Sequence, residues 1–115
     1  MAQPYFRKLD TLLRTLGQHE LDTSDILCKH FFSGAALYYR GNIFCSLTPV
    51  GLAFKLAEQD RAMLCRDGAA QPLRYFPKAP VKKEYVLLPE TMLEQPSAVS
   101  GYLRKSIEYL RTSNV

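Results

Sequence analysis

The chain has 115 residues, of which 47% are hydrophobic and 23% charged, and a formal net charge of +4. That balance describes one soluble globular domain with a single core and excludes wholesale disorder, collagen-like sequence and low-complexity architecture. No apolar run approaches the roughly 18 residues of a membrane span, and the start, with Gln3, Arg7, Lys8 and Asp10, lacks the apolar centre of a signal peptide. A cytoplasmic protein without a membrane partner is therefore expected. Cys28, Cys45 and Cys65 form no CxxC pair and leave an odd thiol under any disulfide scheme, which fits a reducing compartment.

Pro4 suits the first turn of a helix and Gly17 its C-terminal cap, and between them Phe6, Leu9, Leu12, Leu13 and Leu16 recur at helical spacing. Such a stripe packs on a sheet as scaffold. From Ile26 the period changes to short aromatic and aliphatic runs, Ile26 to Phe32, Ala35 to Tyr39, Ile43 to Leu47 and Leu52 to Leu56. Ser33-Gly34, Arg40-Gly41-Asn42 and Thr48-Pro49-Val50-Gly51 separate them, so the runs predict antiparallel hairpins. Lys29 and His30 interrupt the first run, and Ser33-Gly34 reads as a bulge. Connections this short leave no room for the crossover helices of a parallel nucleotide-binding sheet.

Ala57 to Arg66 is rich in helix formers and stops at Asp67-Gly68. Leu73 to Phe76 and Glu84 to Leu88 predict two strands flanking an irregular excursion from Pro77 to Pro80, because proline has no N–H to give a ladder. After Pro96, Ser97 reads as the N-cap of a last helix that buries Val99, Leu103, Ile107 and Leu110. The order describes an α+β domain, residues 1–115, with helices over one face of an antiparallel sheet.

The positive charge is local. Residues 1–60 carry six basic and six acidic side chains, whereas between Arg61 and Lys83 six basic groups face Asp67 alone. The segment from Arg74 to Tyr85 interleaves Arg74, Lys78, Lys82 and Lys83 with Tyr75, Phe76 and Tyr85, a composition that nucleic-acid readers use when cations meet phosphates and rings stack on bases. The competing reading places the rings in the core and leaves the lysines outside by default. On that reading nucleic acid binds weakly and without sequence preference.

The ordered residues Lys29-His30-Phe31-Phe32-Ser33-Gly34, Leu37-Tyr38, Gly41, Phe44 and Leu52-Ala53-Phe54-Lys55 continue with Arg61, Gly68, Pro72-Leu73 and Tyr75. They end in Tyr85-Val86-Leu87-Leu88-Pro89-Glu90. In order and spacing this pattern resembles the N-terminal domain of the TfoX family of bacterial competence regulators, also called Sxy, with Lys29, Phe31 and Ser33 departing from the usual motif. The resemblance implies a two-layer α+β fold of the secretion-chaperone kind, with three helices and an antiparallel sheet of about five strands in the order α-β-β-β-α-β-β-α. It assigns Phe32, Gly34, Tyr38, Gly41, Phe44, Tyr75, Tyr85 and Pro89 to the motif's structural residues. It also implies a homodimer and a protein partner in transcription regulation. Longer members carry a second domain and act at promoters with the cyclic AMP receptor protein, whereas this chain corresponds to the first domain.

Chemistry-bearing clusters are sparse. Cys28-x-His30, with Cys45 and His19, lacks the paired short spacings of a zinc site. Neither Ser33 nor a cysteine has a base and an orienting acid beside it, and no GxGxxG or Walker pattern occurs. No enzyme, metal or cofactor is expected; the alternatives to a protein-interaction domain are a nucleic-acid module on the basic segment 74–83 and a small-ligand binder or enzyme centred near Lys55. Lys55 ends an apolar run and is either an anion or partner contact or a strand-end charge lying over Phe54 and paired with Asp60 or Glu58. Together, Lys55, Arg74, Lys78, Lys82 and Lys83 form the candidate interaction surface.

Overall fold

A computed structural model of the chain describes residues 3–17, 23–31 and 33–113. Phe32 of the family motif and His19 of the conceivable ligand set lie outside them. The elements are α1 (Gln3–Gly17), β1 (Ile26–Phe31), β2 (Gly34–Tyr39), β3 (Asn42–Thr48), β4 (Gly51–Lys55), α2 (Glu58–Arg66), β5 (Gln71–Leu73), β6 (Lys82–Leu88), a 3-10 turn (Glu90–Glu94) and α3 (Pro96–Ser113). The strands form one antiparallel sheet in the order β1-β2-β3-β4-β6-β5.

Each helix turn of α1 presents a leucine to the sheet, and Leu9, Leu12, Leu13 and Leu16 are all buried. With Val99, Leu103, Ile107 and Leu110 of α3 they cover one sheet face, built from Ile26, Leu37, Leu47, Phe54, Val86 and their neighbours. Burying each such side chain contributes about 1.5–3 kcal/mol against an extended reference, so this layer dominates the core. The chain passes from β2 to β3 through Arg40 and Gly41, both at positive φ (49° and 85°), the geometry of a tight two-residue hairpin. Arg111 of α3 donates to the Tyr39 hydroxyl at 3.2 Å and locks the last helix onto β2.

The three helices and the antiparallel sheet agree with expectation, and the sheet has six strands. The run broken by Lys29 and His30 is a regular edge strand, paired from Ile26↔Tyr39 to Phe31↔Gly34. An edge strand tolerates such residues because one side faces solvent. Among the described residues β1 and β2 pair without a register shift up to Phe31↔Gly34, so the expected bulge at Ser33-Gly34 is not seen there; the shift falls between Leu37 and Tyr38 on the β3 side. Several boundaries also differ from the sequence reading, most of them by one or two residues. The fifth strand is Gln71–Leu73 rather than Leu73 to Phe76, because the chain leaves the ladder before Arg74. Helix α3 begins at Pro96, whose missing N–H costs nothing in a first turn, so Ser97 is inside the helix and not its cap.

Candidate functional site

The second sheet face carries no helix. A row of small side chains, Ala36, Ser46 and Ala53, crosses β2, β3 and β4 on this face by direct pairing. They are nonetheless buried, because the excursion between β5 and β6 returns over them. The Tyr75 and Ser46 hydroxyls share a hydrogen bond at 3.3 Å, and the Tyr75 ring lies 6.0 Å from that of Phe31. Arg74 donates to the Ala79 carbonyl at 2.7 Å and Ala79 N–H to the Phe76 carbonyl at 2.9 Å, which closes the proline-containing turn on itself.

Between this turn and the sheet runs a groove of about 650 Å³. Its apolar walls are Phe31, Ile43, Val50, Tyr75, Phe76 and Tyr85, with Lys82 at the rim. The Tyr85 hydroxyl donates to the Ile43 carbonyl at 3.5 Å. Burial raises the Tyr75 and Tyr85 phenols above their ordinary range, so at neutral pH both are neutral hydrogen-bonding groups and not bases. Among the described residues, nothing in the lining supplies an acid–base pair.

Lys55 stands just outside the groove. Its Nζ lies 3.4 Å from a Glu84 carboxylate oxygen and 5.9 Å from the centre of the Tyr85 ring. The expected partners Asp60 and Glu58 do not hold it: Asp60 pairs with Lys105 at 3.7 Å. The register explains the exchange, since Lys55 faces Tyr85 and so sits beside Glu84 on the neighbouring strand. A hydrogen bond from Tyr109, with Lys55 nearby, holds the Glu84 carboxyl below its usual range. Arg61 donates to the carbonyls of Leu56 and Lys83, tying α2 to the start of β6. Lys78, Lys82 and Lys83 are exposed, whereas the Arg74 guanidinium is engaged with its own turn.

Of the basic-aromatic segment, Tyr75 and Tyr85 are half-buried, but Phe76 is 61% exposed and not core. The other motif residues have structural positions. Phe44 is fully buried, the Tyr38 ring carries Lys29 Nζ at 5.1 Å from its centre, and Pro89 precedes the 3-10 turn. Thr48, Pro49 and Val50 read only as a turn in the sequence, yet they form one end of the groove.

Cys28, Cys45 and Cys65 are free thiols, and among the described residues no three His, Cys, Asp or Glu side chains cluster to hold a metal. Burial pushes the Cys28 thiol up to about 11 and raises that of Cys45 as well, which disfavours the reactive thiolate. The His30 ring instead stacks on Phe6 at 4.6 Å. Chelator and reductant together are expected to shift the melting temperature by less than about 3 °C. A drop of more than about 10 °C would mean that a metal or a disulfide supports the fold. Among the described residues no helix is long and apolar enough to cross a membrane.

An antiparallel sheet with helices on one face, an excursion on the other, Gly34 at a tight backbone approach and Gly41 in a positive-φ turn together define the class. The TfoX N-terminal domain family matches residues 21–110, and the chain belongs to it. Comparison with curated proteins and with solved structures returns no match. The family is not one of known enzymes.

Proposed function

We propose that this chain is a non-enzymatic regulatory domain that works through protein contacts, as a homodimer, in bacterial transcription regulation. The family match over residues 21–110 carries this reading. The surface offers large apolar side chains to such contacts, with Leu27, Met63 and Phe76 left 58%, 53% and 61% exposed. Light scattering at micromolar concentration should give about twice the 13.1 kDa chain mass. A monomer over the whole concentration range would remove the dimer from the account.

A second reading, a nucleic-acid module using Arg74, Lys78, Lys82 and Lys83, draws on the exposure of the three lysines. Two features weigh against it. Arg74 is engaged with the Ala79 carbonyl, and Tyr75 and Tyr85 are half-buried with their hydroxyls bonded, which leaves little ring face for stacking. Replacing Lys78, Lys82 and Lys83 by Glu should leave the fold intact, since exposed substitutions change stability by about 0.5 kcal/mol or less each. Duplex DNA should bind the unaltered chain only weakly, without sequence preference, and be lost near physiological salt. Nanomolar binding to one sequence at that salt, abolished by the triple change, would promote the second reading.

A further inference from the structure

The groove on the helix-free face has a shape and a charge that restrict what can occupy it. Its floor runs along β3 from Ile43 to Thr48, about 17 Å at the usual rise per strand residue. Its roof is the turn carrying Tyr75, Phe76 and Ala79. Strand register places Lys82 toward the Ile43 end, because Lys55 faces Tyr85 and Lys82 lies before Tyr85 on β6, while Thr48 and Val50 mark the opposite end. Among the described residues the lining holds one cation, Lys82, and no carboxylate.

We propose that this groove is a binding site for a small amphipathic carboxylate, with an apolar chain between the β3 floor and the aromatic walls and the carboxylate at Lys82. The volume of about 650 Å³ lies in the range of small-molecule sites, which are apolar with a few placed polar groups. The one-ended charge selects an anion with a single head group. A cation would meet Lys82 with no compensating carboxylate, and a polyphosphate would find one cation where it needs several. An extended peptide would gain little from the floor strands, since β3 and β4 are both paired on both sides and offer no free edge for strand addition. The proposal rests on the regulatory reading and extends it to a ligand-responsive domain, with Phe76 and Lys82 shared between the groove and the exposed surface.

Nuclear magnetic resonance titration of the intact chain with octanoate, and in parallel with the neutral 1-octanol, tests the assignment. Saturable shifts confined to amides around Ile43, Val50, Ala79 and Tyr85 are expected, with octanoate about tenfold tighter than octanol, the preference that one charge-assisted contact confers. Lys82→Gln should bring octanoate to within about twofold of octanol. Val50→Trp, at a partly exposed rim position, should weaken both probes by filling the groove. The proposal is overturned if octanoate gives no saturable shifts, if the shifts spread over the helices, or if Lys82→Gln keeps the full preference. Groove shifts that follow protein concentration and ignore octanoate would show a second copy in the groove, and overturn it as well.

Discussion

Replacing Gly34 by alanine is expected to destabilise the protein by about 3 kcal/mol or more, near the upper end of single-residue effects. A Cβ on Gly34 would lie 2.0 Å from the Leu47 carbonyl oxygen and 2.9 Å from the Thr48 Cα. Both are backbone atoms of β3, the strand paired with β2, so no side chain can swing aside to make room. Gly41 provides the comparison. It sits at φ 85° in open space, so Gly41→Ala costs only the left-handed backbone conformation, about 1 kcal/mol. Urea unfolding of the two variants should give midpoints well apart at a shared slope. Equal losses would mean that the β2–β3 approach at Gly34 is wrong.

The second large effect separates two phenylalanines that composition cannot tell apart. Phe54 is fully buried, and its ring centre lies 5.6 Å from that of Tyr102 on α3. Phe54→Ala should cost about 3–5 kcal/mol, the transfer term plus the cavity it leaves between sheet and helix. Phe76→Ala, at a ring 61% exposed, should change stability by about 0.5 kcal/mol or less. Thermal or urea unfolding measures both. A Phe76→Ala loss comparable to that of Phe54→Ala would place Phe76 in the core and close the groove it borders.

The elements themselves were largely legible, because local periodicity determines them. The leucine stripe of α1, the Arg40-Gly41 turn and the apolar positions of α3 each settle their own structure within a few residues. What was not legible depends on which distant parts meet. Phe76 and Tyr75 are adjacent in an aromatic run, yet one is exposed and the other bonds Ser46. Their difference arises at the row Ala36, Ser46 and Ala53, whose small side chains let Tyr75 reach Ser46. Lys55 likewise has Glu58 and Asp60 close in sequence, but the β4–β6 register brings Glu84 beside it instead. The groove was hidden for the same reason, since its walls come from three hairpin or excursion segments that no single periodicity joins.

Affinity capture from the native host tests whether this domain acts by contacting other proteins. The tagged chain is retained at physiological salt in the presence of nuclease, and the bound material is quantified by mass spectrometry. A defined protein partner is expected, present in near-stoichiometric amount and unaffected by nuclease, together with untagged copies of the chain itself. Bound proteins that vanish on nuclease treatment, leaving the chain alone, would contradict it.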